Sequence, residues 1–296
     1  MAFDFMNRRK FIHLGVAAAA AGTLFPGCAT GALKPSTRVH PKRGLGITTQ
    51  PGSPWREQLQ LCGAHWFYSW GSTPPERLPA GIEFVPMVWR GNPGDSFAKL
   101  GKQLRRAGCQ QLLGFNEPDQ KDQSNMTVEA ALALWPKLMD TGLRLGSPGC
   151  VHPDREWMKA FMQGVKDRQL RVDFVTVHSY GGLNVDALMK QLAAVHQQFQ
   201  RPLWITEFAV GDWQAKTRAE NRYQPEQIVK FVEQVLPRLD QCGFVERYAW
   251  FPARPDNHAL GPCALFNEDG SLTPVGHAYR MAEDRDLELI NEAMPD

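Results

Sequence analysis

What most limits the folds open to this chain is an alternation that runs from Gly44 almost to its end. Short apolar runs rich in β-branched and aromatic residues occur at 44–48, 64–68, 83–89, 111–115, 143–146, 172–177, 202–206 and 245–250. Most are followed by a stretch of helical periodicity, at 55–62, 96–107, 127–139, 154–167, 185–199, 225–242 and from 273 onward. Strands separated by helices pair in parallel, because a helical crossover brings the chain back to the same end of the sheet. Eight such runs predict a closed (β/α)8 TIM barrel, formed as a single α/β domain. The rival is an open doubly wound sheet, but no glycine-rich dinucleotide fingerprint in a first crossover supports it.

The punctuation between the runs fits this scheme. Thr127 and Asp154 are predicted helix N-caps, Pro225 opens a helix at its first turn, and Gly108 and Gly243 stop helices. Residues 71–81 are dense in Pro and Gly and predict a loop instead of a helix. The chain of 296 residues is 43% hydrophobic, enough for one large core, and its net charge of +2 leaves no basic footprint for nucleic acid.

The first residues read as an address and not as part of the fold. Arg8-Arg9-Lys10-Phe11 and the apolar stretch 15–24 form a twin-arginine signal, too short to remain as a membrane span. Phe25-Pro26-Gly27-Cys28 resembles a lipoprotein cleavage box, with Cys28 the residue that would carry lipid and attach the mature chain to a membrane. The domain scheme is therefore a signal over 1–28, a tether over 29–43 and the barrel over 44–296, with export to the periplasm or cell envelope. Five further cysteines, Cys62, Cys109, Cys150, Cys242 and Cys263, are widely spaced and read as small buried hydrophobes with no assignable disulfide.

Two of the strand runs end in an unexpected acid. Leu112-Leu113-Gly114-Phe115 leads into Asn116-Glu117-Pro118-Asp119, where proline ends any regular ladder. Leu203-Trp204-Ile205-Thr206 leads in the same way into Glu207. A lone glutamate at a strand end is ordinarily a solvated rim residue. Two of them at the mouth of one barrel are the acid/base and nucleophile that glycoside hydrolysis needs. One must donate a proton to the leaving oxygen, while the other must be ionised and held by donors such as His178 or Tyr180. Asn116 suits a ligand hydroxyl. Trp70, Trp89, Trp250 and Phe251 close other strand ends and offer faces for sugar rings, in a chain with 9 Trp and 16 Phe. No metal or other cofactor is called for, since the 8 His form no metal-ligand motif, and Gly-x-Ser-x-Gly is absent.

Taken in order, Gly114-Phe115-Asn116-Glu117-Pro118-Asp119, His178-Ser179-Tyr180, Trp204-Ile205-Thr206-Glu207-Phe208-Ala209 and Arg247-Tyr248-Ala249-Trp250-Phe251 resemble glycoside hydrolase family 128. Leu265-Phe266 and Gly270-Ser271-Leu272-Thr273-Pro274 extend the likeness, which runs from about Gly44 to about Tyr279. Ser69 and Ser179 depart from the family pattern at positions expected to touch substrate. The resemblance implies a (β/α)8 barrel, retaining chemistry and internal cleavage of β-1,3-glucan, with Glu117 as acid/base and Glu207 as nucleophile. A retaining enzyme would hold its two carboxyls about 5–5.5 Å apart.

Overall fold

The structure, a computed structural model, describes residues 41–91 and 96–281. Arg8, Arg9, Cys28 and most of the predicted tether lie outside the described residues. Eight strands are present: β1 (Arg43–Gly46), β2 (Trp66–Tyr68), β3 (Glu83–Phe84), β4 (Gln111–Leu112), β5 (Arg144–Leu145), β6 (Val175–Ser179), β7 (Leu203–Phe208) and β8 (Val245–Trp250). The helices are α1 (Trp55–Leu61), α2 (Phe97–Arg106), α3 (Val128–Met139), α4 (Glu156–Asp167), α5 (Val185–Phe199), α6 (Pro225–Gln241) and α7 (Pro274–Met281). The β2–β3 connection carries no helix, as its Pro and Gly content predicts.

Among the described residues, every pairing between these eight strands is parallel. One ladder runs β3-β2-β1-β8-β7-β6 and a second joins β4 to β5. Single parallel bridges connect the two, Met87 with Leu113 on the β3–β4 side and Gly146 with Phe174 on the β5–β6 side. Pairings and bridges therefore link all eight strands, in the parallel α/β organisation that the alternation predicts. Strand periodicity sorts side chains to two faces. Trp66, Tyr68, Val85, Met87, Leu113, Phe174, Trp204 and Ala249 fill the interior. Their neighbours Phe67, Phe84, Leu112, Leu145, Val175, Leu203 and Ile205 pack outward against the helices. Burying each large apolar side chain contributes on the order of 1.5–3 kcal/mol. Below the mouth, Phe174 stacks on Trp204 at 4.1 Å, and the Arg247 guanidinium lies 4.4 Å from the Trp204 ring centre.

Most strands begin or end a few residues from the predicted runs, β3 and β4 being shorter than expected and β6 and β7 shifted toward their C-terminal ends. Two further differences bear on packing. The domain begins before residue 44, because Lys42 and Arg43 belong to it. Lys42 Nζ donates to the carbonyls of Leu239 (3.3 Å), Asp240 (2.8 Å) and Cys242 (3.0 Å), closing the C-terminal end of α6. Arg43 is fully buried in β1, and its Nη1 donates to the Arg280 carbonyl at 3.1 Å. Asp154 is not the cap of α4. The chain first closes a turn from His152 O to Arg155 N (3.1 Å), and the helix starts at Glu156 without a side-chain cap. Thr127 does cap α3, accepting from Ala130 N at 3.2 Å. Cys62, Cys109, Cys150, Cys242 and Cys263 are all buried, as small hydrophobes would be. Among the described residues no helix is long and apolar enough to cross a membrane.

Candidate active site

Glu207 reaches the interior through a break in strand periodicity. Trp204 faces inward and Leu203 and Ile205 outward, so regular alternation would turn Glu207 outward. The register slips instead. Ile205 pairs with Val177 and Glu207 with the next residue, His178, leaving Thr206 as an extra residue. The same slip appears against β8, where Ile205 pairs with Tyr248 and Phe208 with Trp250. Such a bulge re-aims a side chain. Here it brings the carboxylate among inward-facing donors. Oε1 of Glu207 accepts from Tyr68 Oη at 3.0 Å and from Trp70 Nε1 at 2.8 Å, and Oε2 accepts from Tyr180 Oη. Burial, then the adjoining Glu207 and Tyr180, push the Tyr68 phenol well above its usual range, so it remains a donor.

Glu117 lies just beyond β4 with φ +42°, in the left-handed region that side-chain-bearing residues rarely adopt. A conformation of this kind costs on the order of 1–3 kcal/mol and persists where the surroundings over-determine it, commonly at functional sites. Its N–H donates to Gly149 O at 2.7 Å. His178 Nδ1 stands 2.9 Å from Glu117 Oε1 and 3.6 Å from Glu207 Oε2, bridging the two acids. Glu117 and Glu207 are 0% and 1% exposed. One ligating atom from each of Glu117, His178 and Glu207 lies within 4.8 Å of the others, so this trio could also offer ligands to a cation.

The remaining predicted residues are gathered unevenly. Asn116 is buried beside Glu117; its Nδ2 donates to Gln123 Oε1 at 3.2 Å and its Oδ1 has no partner. Trp70 and Trp89 are half-buried against the interior cluster. Phe251 meets Trp70 edge-on at 5.8 Å and Tyr180 at 5.5 Å, completing an aromatic wall beside Glu207. Trp250 does not join that wall. It is 0% exposed, its Nε1 donates to Cys263 O at 2.9 Å, and its ring packs against Phe208 and Tyr279. It is a core residue, because at the end of β8 the strand alternation that faces Ala249 inward turns Trp250 toward the helices. Two residues go unnoticed in sequence reasoning. Tyr68 had a signal, since it precedes Trp70 by two and shares its face. Trp213 had none: it sits on the loop after β7, 37% exposed, with its ring 5.7 Å edge-on to Tyr180.

Two buried carboxylates joined by a histidine, at the ends of parallel strands and lined by aromatic rings, define a glycoside hydrolase. The family described as glycosyl hydrolase catalytic core matches residues 45–279. A solved family 128 (subgroup I) endo-β-1,3-glucanase from Amycolatopsis mediterranei, in complex with laminaritriose, is 36% identical with a TM-score of 0.69, covering 81% of this chain and 99% of that one. The chain belongs to glycoside hydrolase family 128. A curdlan-specific exo-β-1,3-glucanase of subgroup III from Blastomyces gilchristii is 32% identical, with a TM-score of 0.65, over 82% of this chain and 99% of that one. Alkali-sensitive linkage protein 1 of Schizosaccharomyces pombe is 29% identical over 252 residues, 81% of this chain. The chain spans 44% of that relative's length.

Proposed function

We propose that this protein hydrolyses β-1,3-glucan internally with retention of configuration, using Glu207 as nucleophile and Glu117 as acid/base. The spacing of the acids carries the reading: oxygens of Glu117 and Glu207 lie within 4.8 Å. Retaining enzymes hold their carboxyls about 5–5.5 Å apart, whereas inverting ones need roughly 6.5–9.5 Å to admit water. Their unequal settings support the roles. Tyr68, Trp70 and Tyr180 converge on Glu207, which suits a group that must attack as a carboxylate. In the first step a Glu207 oxygen bonds to the anomeric carbon, the glycosidic C–O bond breaks, and Glu117 gives its proton to the leaving oxygen. In the second, Glu117 takes a proton from water as that water's oxygen attacks the anomeric carbon and frees Glu207. The buried Oδ1 of Asn116, which has no partner among the described residues, supports its proposed role as acceptor for a sugar hydroxyl.

The substrate class rests on relatives: the A. mediterranei enzyme is solved with laminaritriose and, in a variant with one glutamate replaced by glutamine, with laminarihexaose. Digestion of β-1,3-, β-1,4- and mixed-linkage glucans tests it. The expected products from β-1,3-glucan are a ladder of oligosaccharides whose first anomer is β. Glucose as the sole product would indicate exo action, cleavage of another glycan would reassign the substrate, and no cleavage would leave a binding protein. Glu117→Ala should slow glucan cleavage by about 10²–10⁴-fold yet keep reacting with an activated aryl glycoside, with azide restoring turnover. Glu207→Ala should lose both activities, and an α-anomer at first turnover would sink the nucleophile assignment.

We also propose that the chain is exported through Arg8-Arg9 and anchored by lipid on Cys28. Labelled palmitate should enter the wild type and not Cys28→Ser; equal labelling of both removes the anchor. Lys at positions 8 and 9 should leave the precursor in the cytoplasm.

A further inference from the structure

Asp119 closes a small ring of hydrogen bonds around Glu117. One side of the ring is the Glu117 N–H on Gly149 O at 2.7 Å, continued by Gly149 N–H on Phe115 O at 2.9 Å. The other side is Asp119 itself. Its Oδ1 accepts from Val151 N and its Oδ2 from His152 N, both at 3.1 Å. The two segments, 117–119 and 149–152, are thus tied before and after the acid. Between the ties the backbone at Glu117 has φ +42°, and the next residue is Pro118, which has no N–H to offer a ladder. A strained conformation of this kind survives only where neighbours fix it. The turn after it leaves the region by Gln120 N on Glu117 O (3.0 Å) and Met126 N on Pro118 O (3.1 Å), neither of which reaches the 149–152 segment.

We propose that Asp119 is a positioning residue for the acid/base: by gripping the Val151 and His152 amides it holds Glu117 where its carboxyl meets His178 and the scissile oxygen. This rests on the acid/base reading of Glu117. Charge-assisted bonds from a carboxylate to two backbone N–H groups are roughly twice as strong as neutral ones, and each carboxylate oxygen serves one amide. Losing them releases the Val151 and His152 amides and leaves the Glu117 turn held to the 149–152 segment only from its N-terminal side, through Gly149. A displacement of about 1 Å at a reacting group can cost about 10²-fold in rate. The loss should fall on steps in which Glu117 moves a proton and spare the step in which it does not.

The test uses Asp119→Ala and Asp119→Asn in the full chain, with β-1,3-glucan and with 2,4-dinitrophenyl β-laminaribioside. Asp119→Ala should lower kcat on glucan by about 10²-fold with KM within about threefold. On the aryl glycoside its initial burst of dinitrophenolate should stay within about threefold of wild type, because that leaving group needs no proton. Its slow steady state should rise with azide. Asp119→Asn keeps one acceptor and should fall between. Equal slowing on both substrates without azide response, wild-type rates in both variants, or failure of both to fold would each overturn the proposal. Glu117→Ala, assayed alongside, keeps the two questions apart: if it shows neither burst nor azide rescue, the acid/base reading fails by itself.

Discussion

Gly149 shows how little space surrounds the pair of acids. A Cβ added there would stand 2.7 Å from Nε2 of His178, while the Gly149 carbonyl receives the Glu117 N–H. The atom in the way is the tip of a side chain, so the fold can yield where the site cannot. Gly149→Ala should leave the melting temperature within a few degrees and displace the imidazole from its 2.9 Å contact with Glu117. A fall in kcat of about 10–100-fold is expected from misplacement of this size. Steady-state kinetics with a thermal melt decides the matter, and unchanged kcat would mean His178 holds its place by other means. The tryptophans carry the opposite lesson at the same scale. Trp70 and Trp250 both read as rim aromatics, yet Trp70 donates to Glu207 and Trp250 to a backbone carbonyl inside the core. A residue type at a strand end does not reveal which way the side chain leaves the sheet.

Among the elements, α2 sits against the chain reversal before β5 at a glycine. Helix propensity alone favours Gly101→Ala by roughly 0.5–1 kcal/mol. The new Cβ would, however, lie 2.5 Å from Thr141 Cα and 2.7 Å from its carbonyl oxygen, which are backbone atoms and cannot rotate away. Overpacking of this kind costs typically 1–3 kcal/mol and outweighs propensity. Urea titration should therefore show a lower midpoint, and a higher one would mean that α2 slides freely over the reversal. The order of elements was legible because apolar runs and helical periodicity are local: α5 and β8 begin and end where the pattern places them. The site was legible in its acids, since Glu117 and Glu207 interrupt those runs. The bulge at Thr206 was not, because register is set by pairing with β6 and β8, and alternation alone points Glu207 the wrong way. Lys42 reads as tether for a similar reason, as its three carbonyl partners lie about two hundred residues away at the C-terminal end of α6 and its cap.

Across the whole molecule, the buried acids that titrate late are thiols and phenols. Burial pushes Cys62 from 9.0 up to about 12, against the opposing pull of Arg43 and Arg280, and Cys263 likewise to about 12. Tyr68, Tyr248 and Tyr279 are raised above 10.0, again first by burial. Below about pH 8 both folded and unfolded chains hold these protons, and the groups have no effect on stability. Between the ordinary and the raised values the unfolded chain releases a proton that the folded chain keeps. Stability then falls with rising pH by about 1.4 kcal/mol per unit for each such group. Lys42 runs the other way, since burial lowers its folded value below 10.5, but it is one half-buried group against several buried ones. The melting temperature should accordingly stay level to about pH 8 and drop steeply between about pH 9 and 12. Cys62→Ala should melt lower at neutral pH, having lost a packed side chain, and yet show a shallower alkaline slope, having lost one of the protons that drives it. Melting curves taken at half-unit steps separate these two effects, and parallel slopes for wild type and variant would mean that the thiol is deprotonated without unfolding.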